Sequence, residues 1–172
     1  MEISRFQFVP IVPANYILSK ARFCWREIEW AYQHGMFGLA MLVDLAKQKE
    51  QNQVIESELS SLDKDHQWKA PELLSALVQN ESQIAEQSIV EKWLYVILAY
   101  IYDHQDKFED PLTKVEEIYA DFNHPKEIAS FVGYMPSSDT TYRPEEHSLE
   151  ENTERIFKNW KEYLDREAAK YS

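Results

Sequence analysis

Apolar side chains recur along most of this chain at spacings of three and four residues, the period of a helix with one buried face. In NYILSKARFCWREIEWAYQHG (15–35), Trp25, Ile28 and Tyr32 share a face and Gly35 provides a C-terminal stop, which predicts helix in two pieces. MFGLAMLVDLAKQKEQ (36–51) follows directly and predicts a second helix, so the two read as a helical hairpin. Ile55, Leu59 and Leu62 make one stripe on a short helix, and Pro71 suits the first turn of another in APELLSALVQ. The segment 83–105 starts polar and then turns apolar on nearly every side through WLYVILAYIY (93–102), so it is expected at the centre of the fold.

Beyond it, EDPLTKVEEIYADFNHP (109–125) mixes carboxylates with branched and aromatic residues. Asp110 is a good N-cap, Pro111 fits the first helical position, and Leu112, Val115, Ile118 or Tyr119, and Phe122 form the inward stripe. Glu116, Glu117 and Asp121 fall on other faces and read as a solvated acidic surface. HPKEIASFVGYMP (124–136) predicts a short helix with Ile128 and Phe131 inward, ending near Gly133. A polar loop, 137–147, leads to a last helix opened by the capping box Ser148–Glu151, with Leu149, Thr153, Ile156, Trp160, Leu164 and Tyr171 along one stripe. ISRFQFVPIVP (3–13) alternates Phe6 and Phe8 with polar neighbours and ends in two prolines, so it reads as extended, with no evident pairing partner.

The expected fold is all-α: a single domain over 1–172, with about seven to eight helices around the hydrophobic helix 83–105. Three glycines among 172 residues leave few positions for the positive-φ turns of hairpins, which supports the same class. MEISRFQFVP begins with an acid and has no basic flank before a long apolar run, so it does not read as a secretory signal, and the expected location is cytoplasmic. The run 93–102 is about half the ~20 residues that cross a bilayer, so no membrane role is expected. Cys24, the lone cysteine, reads as a small buried apolar residue.

Charge changes the picture more than length does. The chain carries a net charge of −12. Residues 103–151 hold thirteen Asp and Glu against four Lys and Arg, so −9 of it sits in that third. Such a surface repels phosphate backbones, which argues against nucleic acid and favours a protein partner with a basic surface. No Walker loop, GxGxxG, HExxH or GxSxG motif is present, and nothing implies a cofactor.

Two further constellations stand out. Asp103, His104, Asp106, Asp121 and His124 would suit a metal ion if the helix ends carrying them converge, although no His-x3-His helical pair is present. Among five tryptophans, Trp93 and Trp160 lie on core stripes, whereas Trp68, between two helices, is either a surface anchor for a partner or a plug under a loop.

The run EKWLYVILAYIYDHQDKFEDPLTKVEEIYADFNHPKEIASFVGYMP (91–136), followed by HSLEENTERIFKNWKEYL (147–164), resembles the bacterial family catalogued as domain of unknown function 2247. CWREIEWAYQHG resembles its N-terminal part, with Cys24 where the family pattern has a hydroxyl residue before the tryptophan. The family has no established reaction, so the resemblance transfers no functional residues. It is similar to the small acidic proteins encoded beside bacterial toxins, which implies an immunity protein.

The first functional reading is therefore a non-enzymatic acidic module that binds a basic partner through Trp68, Glu116, Glu117, Asp121, Glu145 and Glu146. Two others stay open: a metal-dependent helical enzyme built on residues 103–124, and a small-molecule binder with an aromatic pocket between helices.

Overall fold

The computed structural model describes residues 3–49, 54–135 and 141–172, and in these the chain forms eight α-helices and no strand. They are α1 (Ala14–Lys20), α2 (Trp25–Gln33), α3 (Leu39–Gln48), α4 (Val54–Ser60), α5 (Ala70–Val78), α6 (Glu86–Asp103), α7 (Pro111–Asp121) and α8 (Leu149–Tyr171). Short 3-10 turns cover Lys64–Lys69, Gln105–Lys107, Lys126–Phe131 and Pro144–Glu146. The polar loop expected at 137–147 lies in part outside the described residues, and its described end includes the last of these turns.

Several helix ends are set by local chemistry. The Asp110 carboxylate accepts from the N–H groups of Leu112 and Thr113, which would otherwise be orphaned at the start of α7. Ser148 and Glu151 form the reciprocal capping box of α8, at 3.1 and 3.3 Å. After α2, Gly35 takes φ +72, while its N–H reaches the Tyr32 carbonyl and the Met36 N–H reaches that of Ala31. This is the paired bonding of a Schellman stop.

The expected core is present. Trp93, Leu94, Ile97, Leu98 and Ile101 of α6 are all buried, and α1, α7 and α8 pack around that helix. Each such side chain contributes about 1.5–3 kcal/mol relative to full exposure. Trp160 of α8 stacks on Phe131 with centroids 6.0 Å apart, so the 126–131 turn closes one side of the core. Burial on α8 starts at Trp160 and includes Tyr163 and Leu164. Leu149, expected on the stripe, is 84% exposed because its turn lies ahead of this packed portion.

The expected pairing of 15–35 with 36–51 is present only through α1, the first of the two helical pieces of 15–35; α2, the second, packs elsewhere. Helix α2 packs mainly against α5, and α3 mainly against α4 and α1. The reason lies at the start of α2, where the Glu81 carboxylate accepts from the backbone N–H groups of Trp25 and Arg26 at 3.0 and 2.8 Å. The Arg26 guanidinium in turn donates to the carbonyls of Glu81 and Ser82. These bonds hold α2 to the end of α5. The second helix also begins three residues later than read, after the turn through Gly35–Gly38.

Buried charges near this junction are paired, as a low-dielectric interior requires. Glu27 meets the Lys92 ammonium at 2.7 Å, and Glu56 accepts from the Trp25 indole at 3.0 Å. The segment before α1 is non-helical, as expected, but it is anchored. Phe6 packs on Phe122 and Trp30, and its N–H reaches the His34 carbonyl at 3.0 Å.

Candidate functional site

Of the five residues considered as metal ligands, four are engaged separately and Asp106 is exposed. Asp103 accepts from the Tyr16 hydroxyl at 2.7 Å and pairs with Lys20 at 3.4 Å. Burial, reinforced by this carboxylate, pushes the Tyr16 hydroxyl above the usual phenolic range. The His104 ring stacks on Tyr100, and its Nδ1–H donates to the Tyr100 carbonyl at 2.9 Å. Asp106 is exposed in the turn after α6. His124 sits at φ 58 with its ring edge-on to Tyr119. Asp121 is occupied by the N-terminal segment, accepting from the backbone N–H groups of Gln7 and Phe8. Among the described residues, no group of three or more His, Cys, Asp and Glu side chains is placed to hold a metal ion.

Three of the other acidic residues, Glu116, Glu145 and Glu146, lie next to residues that line a different feature. A groove of about 290 Å³ runs between the chain at 130–135 and the first turns of α8, floored by Val132, Met135 and Ile156. Leu149 stands on one wall, and Tyr134, 59% exposed, lies beside the other. The segment leading into α8 is tied down at its edge. Asn152 donates to the Pro144 carbonyl at 3.0 Å, Tyr142 bonds to Asn152, and the Arg155 guanidinium lies 3.9 Å over the Tyr142 ring.

Glu145 and Glu146 are exposed immediately after Pro144, on the α8 side of the groove. On the opposite side, the Glu116 carboxylate lies so close to Gly133 that a Cβ there would come within 3.1 Å of it. Partial burial, then the nearby Asp110 charge, raises the Glu116 carboxyl above the usual carboxylate range. Glu117 is turned toward Lys114, at 3.8 Å. Trp68 belongs to a separate element, the turn before α5. It is 69% exposed, with the Lys69 ammonium over its ring, so it is not a plug under a loop.

Sequence reasoning missed Tyr134 and Leu149 as surface features. Leu149 had a readable signal, because it directly follows the N-cap Ser148 and so occupies the end of α8. Cys24 also takes an unexpected place: it is half-buried at the N-cap of α2, with its N–H donating to Glu27 at 3.0 Å. Burial pushes its thiol up to about 11, so it stays protonated at neutral pH and is a poor nucleophile.

A family model described as an uncharacterized protein conserved in bacteria matches residues 14–168, nearly the whole helical array. The chain belongs to the DUF2247 family. The match begins at the first residue of α1, so the N-terminal segment held by Asp121 precedes the part of this DUF2247 chain that the family model covers. No curated protein and no solved structure matches it. No described helix is long and apolar enough to cross a membrane.

Proposed function

We propose that this DUF2247 protein is a non-enzymatic binding module that engages a basic protein surface through the groove between residues 130–135 and α8. The observation that carries this reading is one concavity lined by the exposed Leu149, with the exposed Tyr134, Glu145 and Glu146 next in the chain to its lining residues Gly133 and Pro144 and the Glu116 carboxylate close to Gly133; the charged side chain that lines it, Arg155, is drawn over the Tyr142 ring. Apolar anchors within a polar rim are the usual anatomy of a protein interface. The rim charges would steer a cationic partner toward the groove and make association sensitive to salt. An immunity protein acting on a basic toxin domain is the role that fits this chemistry and the family resemblance together. A cytoplasmic location belongs to the same proposal.

The test compares the chain with two variants, Leu149→Asp and the double charge reversal Glu145→Lys, Glu146→Lys, as immobilised baits against products of the neighbouring genes. A basic protein should be retained near 50 mM salt and released by about 200 mM, where screening shortens the reach of charge to roughly 8 Å or less. Both variants should lose it. Equal retention by all three baits, or no basic partner at any salt concentration, overturns the reading.

A further inference from the structure

On the N-terminal side of the fold, away from the acidic groove, the segment 9–12 bridges α1, the start of α3 and the middle of α6 over a second cavity of about 290 Å³. Its floor is buried and apolar: Ile17, Met36, Trp93 and Ile97. The Trp93 indole N–H is directed away, donating to the Glu27 carbonyl at 2.9 Å, so the ring presents only carbon to the cavity. Phe37 stands 5.9 Å from that ring, giving two aromatic walls. The mouth is marked by exposed lining residues, Ile11 at 85% and Asp44 on α3. Among the described residues, Asp44 is the one charged residue lining the cavity, and no Lys, Arg or His lines it.

From this arrangement we propose that the cleft is a binding site for a small apolar amine, an aromatic or alkyl body carrying one primary ammonium. At about 30 Å³ per water-sized group, the space holds a body of roughly ten non-hydrogen atoms. The aromatic walls take the body, and Asp44 at the mouth takes the charge. One opposing effect must be weighed. The positive end of α3 begins at Gly38, which also lines the cavity and offers no side chain as a cap. That end amounts to about half a unit charge, against the full negative charge of Asp44. A cation therefore wins over a carboxylate of equal size. This site stands independently of the acidic groove.

Three probes of matched size separate the body from the charge: 2-phenylethylamine, 2-phenylethanol and phenylacetate, titrated against protein carrying methyl-labelled methionine. Binding should shift the methyl resonances of Met36 and Met41, which line the cleft, and leave Met135 unmoved. Amine should bind more tightly than alcohol by about fivefold, the value of one exposed ion pair at its upper range, and the carboxylate should bind least. Asp44→Asn, at an exposed position, should bring amine and alcohol to parity. If alcohol and amine bind equally to the parent, the cleft stands as an apolar site and the selectivity for amines falls. If no probe moves Met36 or Met41 at millimolar concentration, the site itself falls.

Discussion

The carboxylate of Asp121 accepts the backbone N–H of Phe8 at 2.6 Å, joining residues 113 positions apart in the chain. The same carboxylate takes the Gln7 N–H at 3.1 Å, so one side chain at the end of α7 holds the N-terminal segment in place. Asp121→Ala leaves both donors without this acceptor and should cost about 1–3 kcal/mol. Asp121→Asn keeps one acceptor oxygen and should fall between. Urea melts give the stabilities, and amide exchange at Phe8 reports the segment directly. Parent-like melting and exchange in the alanine variant would show that the segment is held by Phe6 and its aromatic neighbours alone.

Leu98 is fully buried in α6. Leu98→Ala should destabilise the fold by roughly 2–5 kcal/mol, the range for a buried leucine whose cavity does not collapse. Glu109→Ala, at an exposed position, should stay within about 0.5 kcal/mol and serves as the control. Chemical denaturation of the two variants separates them. A Leu98→Ala protein as stable as the parent would mean that α6 is not the centre of the core.

The parts of this fold legible in the sequence were those whose cause lies within a few residues. The caps at Asp110 and Ser148 satisfy groups two or three positions away, and the enclosure of α6 follows from its own all-round apolarity. The partner of α2 was not legible, because Glu81 lies 56 positions from Trp25 and nothing local marks it as a cap for that helix. Asp121 read as a solvated carboxylate for the same reason. At the candidate site, Glu145 and Glu146 could be named from charge alone. The concavity beside them could not, since it exists only where Val132 and Met135 come against the first turns of α8. The five residues near 103–124 are close in sequence, yet Asp103, His104, Asp121 and His124 each meet a different neighbour and Asp106 is exposed, so proximity along the chain was a poor guide to convergence in space.

Acid should weaken the fold partly through Asp110. Its bond from the Thr113 hydroxyl, followed by the N–H groups of Thr113 and Leu112, holds the carboxyl below its ordinary value of 3.8. A carboxyl depressed in the folded state contributes stability that is present above the unfolded value and lost as pH falls through the folded one. The window therefore lies at and below pH 3.8. Asp110→Asn keeps the cap but removes the titrating group, so its stability should fall less steeply below about pH 4 than the parent's. Denaturant midpoints across that window check it. Parallel profiles would remove Asp110 from the acid response.

Cys24 offers a sharper comparison, because one substitution changes both a cap and a titration. Its thiol stands at the N-cap of α2, in a capping box with Glu27. Sulfur is a weak acceptor, whereas a serine hydroxyl is among the best N-caps. Cys24→Ser should therefore raise stability by about 0.5–1 kcal/mol near neutral pH. The thiol is pushed up to about 11 in the folded protein from an ordinary 9.0, chiefly by burial. The folded state thus keeps a proton that the unfolded chain loses, and this contribution to stability declines as pH rises above 9.0 toward 11. The serine variant has no such group, so its advantage should widen over that interval. In the parent, alkylation of Cys24 by iodoacetamide should be slow at pH 8 and accelerate toward pH 11, following the thiolate fraction. Rapid alkylation at pH 8, or a serine variant less stable than the parent, would place the sulfur in a different environment from the half-buried cap described here.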